Sequence, residues 1–170
     1  MVEPVTLAGF AEVEALWAKA PEIAREEFRA LIFKGVNAME EDAKNLVPTN
    51  HGSLRASIYH EVREFAVGLG VEGVTGTASN YAIPVELGSK PHTPPIAPLI
   101  DWAQQKFGLE EKEAEGVAFA VAYRIAQRGT LGVGMFHRAF AANRGALEAG
   151  SRVAAKRIVA RMTAISGKPS

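Results

Sequence analysis

A carboxylate and an imidazole, Glu86 and His92, stand six residues apart in the stretch YAIPVELGSKPHTPP at 81–95. Such a pair is the raw material of general acid–base catalysis, in which one group gives a proton and the other takes it. The same residues also read as a stiff surface segment built for assembly. Gly88 lets the chain turn, and Pro91, Pro94 and Pro95 restrict an exposed loop, so less entropy is lost when it docks. In that second reading Glu86 is a fixed carboxylate where a strand meets the loop. It bonds backbone amides or a neighbouring subunit's arginine, or it is satisfied inside its own subunit. His92 has no partner that the sequence names.

The other chemical signals are thin. GLGVEG at 68–73 matches the G-x-G-x-x-G pattern, but the residues that follow, VTGTAS, favour strand where a dinucleotide site needs a helix. His51, His60, His92 and His137 are scattered, and no two share the i, i+4 spacing of a helical zinc site. No serine lies in a G-x-S-x-G elbow. The chain has no cysteine, which excludes disulfides and thiol catalysis. No catalytic residue, metal or cofactor is therefore expected, and the chain reads as a non-enzyme.

Charge points to contact rather than catalysis. The 19 basic and 19 acidic side chains cancel, so there is no global pull toward nucleic acid or an anionic membrane. Their distribution is uneven. Glutamates and Asp42 dominate the first forty-two residues, whereas after Glu148 every charged side chain is basic: Arg152, Lys156, Arg157, Arg161 and Lys168. An acidic end and a basic end suit head-to-tail contact between subunits, which makes Arg152, Lys156, Arg157 and Arg161 candidate contact residues beside Glu86, Gly88, Pro91, Pro94 and Pro95. Solvated helix faces are the plainer alternative. Sequence-specific DNA recognition is not expected, because the basic excess is small and no groove-reading element is recognisable. No stretch approaches the roughly 18 uninterrupted apolar residues of a membrane span, and no leader-like segment opens the chain. The expectation is a soluble, unsecreted protein.

The elements that position these residues follow from periodicity. Residues 1–20 are read as an N-terminal arm or short helix, interrupted at Lys19-Ala20-Pro21, and residues 21–170 as a single α+β domain. Pro21 suits the first turn of a long helix to about Leu46, whose apolar stripe is Ala24, Phe28, Leu31, Ile32, Gly35, Met39, Ala43 and Leu46. Pro48 stops it. Alternation predicts an antiparallel pair of strands near 57–65 and 68–78, whose four glycines imply bulges or close backbone approach. Residues 88–98 read as a loop, followed by helices over about 98–107, closed by Gly108, over about 110–128, closed by Gly129, and over about 136–165. Ala114, Val117, Ala118, Val121, Ala122 and Ile125 line one face of the second of these, and Phe140, Leu147, Ala154 and Ile158 one side of the third.

Three stretches, in order, resemble one family. VPTNHGSLRASI at 47–58 looks like the P-x-[DN]-x-G-x-L-x-x-S-I signature of phage neck and tail-completion proteins, the minor tail proteins that join heads to long tails. YAIPVELGSKPHTPP is similar to that family's tyrosine-alanine, glutamate-x-glycine and proline-rich segment. RIAQRGTLGVGMFHRAF at 124–140 resembles its closing pattern, with an aromatic opening the last helix. Asn50-His51 stand where the family commonly has aspartate-threonine. Locally, Pro48, Asn50, Gly52, Leu54 and Ser57 read as fold determinants: Pro48 ends a helix, Asn50 caps a turn, Gly52 supplies an unusual backbone, and Leu54 packs together with Ile58. The resemblance implies a virion protein at the neck or top of the tail, assembled in the host cytoplasm. It forms a ring with itself, a hexamer by the family pattern, between the head connector or head-closure protein and the tail terminator or tail tube, with DNA passing through the lumen. A tail terminator or tail-tube-type subunit is the nearest alternative. A small enzyme or DNA-binding regulator is the more distant one.

Overall fold

The computed structural model describes residues 10–48, 52–65 and 70–166. Its elements, in chain order, are α1 (Phe10–Leu46), α2 (Gly52–Ser57), β1 (Ile58–Glu64), β2 (Val71–Thr77), α3 (Ala82–Leu87), β3 (Gly88–Ser89), α4 (Ala97–Phe107), α5 (Glu111–Arg128), β4 (Thr130–Leu131) and α6 (Met135–Ser166). A long N-terminal helix, a small antiparallel β1–β2 sheet and C-terminal helices make the class α+β, as expected. The chain divides into two compact units. One takes the described residues up to Glu40, then His60–Thr75 and those from Phe140 onward; the other takes Glu41–Tyr59 and Gly76–Ala139.

In the first unit α1 supplies most of the predicted stripe. Ala24 and Gly35 are buried, and Phe28, Leu31, Ile32 and Met39 are half-buried. The predicted break at Pro21 is absent: Pro21 lies inside one continuous helix. The proline forfeits a hydrogen bond to the carbonyl of Trp17, and the alanine- and glutamate-rich flanks carry the helix through it. Two glycines let α1 and α6 come close. A Cβ on Gly35 would meet the end of Leu147, and one on Gly150 would meet the end of Leu31. Gly73 of β2 likewise lies against Ile32 and Val36, the close backbone approach expected of a strand glycine. On α6, Leu147, Ala154 and Ile158 are buried or half-buried, but Phe140 is 53% exposed and so leaves the expected stripe.

In the second unit the core is Ala43, Val47, Leu54, Ile58, Ala82, Met135 and Ala139, with Leu46, Val85 and Phe136 packed against it. All three resembling segments contribute to it. The first does so through Val47, Leu54 and Ile58, and Ser57 ties its end down by hydrogen-bonding the Leu54 carbonyl at 2.8 Å and the Thr77 hydroxyl at 2.6 Å. α4 and α5 pack on each other through small side chains: Ala103, Ala114 and Ala118 are fully buried and Ala122 nearly so. Val117, Val121 and Ile125 are half-buried, completing the stripe predicted for α5. The C-terminal stops at Gly108 and Gly129 are also as predicted. Their N–H groups reach the carbonyls of Gln104 and Ile125 at 2.8 Å.

Three local expectations are corrected. Strand β1 begins at Ile58 rather than Ser57, because 52–57 wind into α2. Gly52 opens that helix with nothing within 4 Å of a Cβ, so no crowding requires glycine there. Glu86 lies in a helix, not at a strand end. Ala82 N–H bonds the Ser79 carbonyl at 3.0 Å and Val85 N–H the Tyr81 carbonyl at 3.3 Å, while Pro84 falls in the first turn, where no N–H is needed. Asn50 and His51 lie outside the described residues.

Candidate functional site

The second and third resembling segments lock together. Val133 N–H donates to the Val85 carbonyl at 2.7 Å and Gly134 N–H to the Glu86 carbonyl at 3.1 Å. β3 then pairs antiparallel with β4, Gly88 opposite Leu131 and Ser89 opposite Thr130. Glycine is required for this approach. Gly88 and Gly129 take left-handed backbone conformations, and a Cβ on either would run into the facing backbone, at Thr130 or Ser89 respectively. A Cβ on Gly132 would strike the Glu86 carbonyl.

Above this joint sits the carboxylate that resembled a general base. Glu86 Oε2 accepts from Phe136 N–H at 2.9 Å and Oε1 from His137 N–H at 3.0 Å. These are the second and third residues of α6, whose N–H groups have no partner inside the helix. A negative charge at that end is also favoured by the helix dipole. Of the alternatives open in the sequence, backbone amides of its own chain hold Glu86. Both oxygens are engaged in fixing where α6 starts, which makes Glu86 a structural anchor in this arrangement.

Beside the joint a cavity of about 360 Å³ opens, lined by Pro48, Tyr81, Pro84, Val85, Ile125, Leu131 and Val133, with Ser89, His92 and Thr130 as its polar groups. The volume is within the ordinary range for a ligand or side-chain pocket. Ser89 Oγ lies 2.9 Å from Thr130 Oγ1 and 3.4 Å from His92 Nδ1. That contact is not a nucleophile–base pair. His92 Nδ1 is 2.9 Å from the Lys90 carbonyl, which can only accept, so Nδ1 carries the proton and cannot take one from Ser89. Around the mouth, large apolar side chains face solvent: Tyr81 is 67% exposed and Leu131 97%, and Leu87, beside the β3–β4 pair, is 78% exposed. Pro91 and Pro95 are exposed as expected of the loop, but Pro94 is buried. The proline run is thus anchored at its middle.

The basic residues of α6 part company. Arg161 reaches Glu26 at 2.7 Å and Glu27 at 3.1 Å, and Arg157 stands 3.9 Å from Glu27. The hydrogen bonds to Glu26 and Glu27 push the Arg161 pKa above its ordinary value. The acidic and basic ends of the sequence therefore meet within one chain at these positions. Arg152 and Lys156 are exposed. Elsewhere in this first unit, His60 Nδ1 pairs with Glu40 Oε2, and its ring meets Phe33 edge-on, 5.4 Å between centroids. Glu61, its neighbour on β1, points the other way and pairs with Arg63 at 2.8 Å, a hydrogen bond that holds the Glu61 carboxyl below the usual carboxylate range.

Among the described residues no cluster of three or more histidine, aspartate or glutamate side chains is arranged to hold a metal ion. No helix among them is long and apolar enough to cross a membrane. The sequence marks Gly129 only as a helix stop and assigns no pairing to Thr130, Leu131 and Gly132, which with it form half of the joint. The glycine spacing of GTLGVG was their one visible signal. Comparison with known proteins finds no matching family model, no matching characterised protein and no matching solved structure.

Proposed function

We propose that this chain is a non-enzymatic structural subunit of a tailed-phage virion. It sits at the neck or the top of the tail and forms a ring, hexameric by family pattern, that completes the tail and meets the head connector. DNA passes through the lumen. The observation that carries the reading is where the three resembling segments go. All three enter the core of one unit, and two of them interlock through glycine-dependent backbone pairing under Glu86. Their distinctive residues hold backbone in place and leave Tyr81, Leu87 and Leu131 facing outward, as a docking face requires. Glu86 and His92, the two residues best suited to acid–base work, are both tied to backbone.

The test is assembly. Light scattering of the purified chain, alone and mixed with connector and tail-tube proteins, should show a ring-sized species, and electron microscopy of assembled tails should place it at the neck. A chain that stays monomeric in every mixture refutes the reading. A species that caps the tail tube but ignores the connector identifies it as a tail terminator instead.

A further inference from the structure

One face of α5 has no partner among the described residues. Its buried side, Ala114, Ala118, Ala122 and Ile125, is turned to the rest of its unit, while Gly116, Phe119, Ala120 and Tyr123 recur at three- and four-residue spacing on the exposed side. Phe119 is 55% exposed and Tyr123 70%. Gly116 is a poor residue for a helix interior, and a Cβ there would meet nothing within 4 Å. The notch it leaves is open, with Phe119 about one turn and Tyr123 about two turns further along the same face.

The charges along α5 say what fits there. The helix opens on Glu110, Glu111, Lys112, Glu113 and Glu115, net acidic, and closes on Arg124 and Arg128. Glu113 and Arg124 are both exposed, neither has an ion-pair partner among the described residues, and they lie on the same flank of the aromatic face. A helix acidic at one end and basic at the other is complementary to its own copy turned end for end, in side-chain charge and in helix dipole alike.

We propose that α5 pairs antiparallel with α5 of a second copy of this chain, about a two-fold axis passing between Phe119 and Ala120. In that register Tyr123 of one copy covers Gly116 of the other, and Phe119 packs on Ala120. Glu113 faces Arg124 along one flank, twice by symmetry. The aromatic rings fill the space that the small residues leave, which is what brings two helix backbones together. A single helix pair is smaller than a standard interface, so the dimer is of the weak, reversible class. The contact is isologous and closes on two copies. It is separate from the contacts that would build a ring, and it stands whether or not the neck reading does.

Sedimentation equilibrium of the full chain, from micromolar to about millimolar concentration, tests it. The wild-type chain should show a monomer–dimer equilibrium. Phe119→Ser with Tyr123→Ser should weaken it about tenfold or more. Glu113→Arg and Arg124→Glu should each weaken it about fivefold, since each places like charges together twice. Mixing those two single variants in equal amounts should restore association to about the wild-type strength, because each reversed charge then meets its opposite. All four positions are solvent-exposed, and circular dichroism of each variant should match wild type. A wild-type chain that is monomeric throughout overturns the proposal. So does association that the aromatic double variant leaves unchanged, or a charge-reversed mixture no tighter than its components. A chain that dimerises this way yet never joins a connector or tail complex leaves the proposal standing and refutes the neck reading; a ring indifferent to all these variants does the reverse.

Discussion

Two of the places where glycines bring chain segments together in this protein face different kinds of atom. At the β3–β4 joint, Gly88, Gly129 and Gly132 look onto backbone carbonyls and amides of the opposite segment. Between α1 and α6, Gly35 and Gly150 look onto the methyl ends of Leu147 and Leu31. Backbone held in a hydrogen-bonded pair cannot move aside, whereas a leucine can change rotamer. The joint is therefore specified atom by atom and the helix contact only by volume. The polar interactions differ in the same sense. Glu86 is half-buried and accepts two helix amides, while Arg161 binds Glu26 and Glu27 at the surface, where ion pairs contribute little and salt screens them.

The sharpest way to break this contrast is Gly129→Ala. The substitution forces an L side chain into a left-handed backbone and drives its Cβ into the backbone around Ser89 and Lys90. The conformational strain alone is about 1–2 kcal/mol, and the steric conflict adds to it, so a loss of roughly 3 kcal/mol or more is expected in urea unfolding. Should Gly129→Ala unfold at the same midpoint as wild type, the joint is not rigid and its likeness to a docking platform is lost.

Glu86 tests the joint from the other side. Glu86→Ala leaves the Phe136 and His137 amides without their acceptor and should cost about 1–2 kcal/mol, in the range of a lost helix N-cap. Glu86→Gln keeps an acceptor and loses the charge, so its cost should fall between wild type and alanine. Hydrogen exchange adds a local readout. The Phe136 and His137 amides should lose protection in both variants, while amides in the middle of α5 should not. Uniform loss throughout would mean that Glu86 acts on global stability rather than on where α6 begins.

Much of the helical frame was legible because helical period repeats over many turns. The stripes of α1 and α5 and the glycine stops at Gly108 and Gly129 all follow from spacing that a single substitution does not obscure. What escaped was short or long-range. β3 and β4 have two residues each, too few to alternate, and their pairing joins positions about forty apart. α3 hides behind Pro84, which reads as a breaker yet falls where a helix tolerates it. Pro21 misleads in the opposite sense, since it looks like a helix start and is carried within one. The Glu86 anchor spans 50 residues to Phe136, and the Arg161–Glu27 pair spans 134. Residue types nominated Glu86 and Arg161 for contact, but only the fold shows that they contact their own chain.

The smallest predicted effect bears on the softer of the two glycine contacts. Gly35→Ala places a methyl against Leu147, whose side chain also borders a cavity of about 180 Å³ lined by Leu31, Ala38 and Ala146. Leu147 can turn into that space at a cost of about 0.5–1.5 kcal/mol if it leaves its preferred rotamer. Alanine is better than glycine in a helix interior by about 1 kcal/mol, which offsets that cost. The net change should lie within about 1 kcal/mol of zero, so the same substitution that disrupts Gly129 should leave Gly35 nearly silent in urea unfolding. A large loss at Gly35 would mean that α1 and α6 interlock as tightly as the joint does. The difference between glycines facing backbone and glycines facing side chains would then not govern this fold.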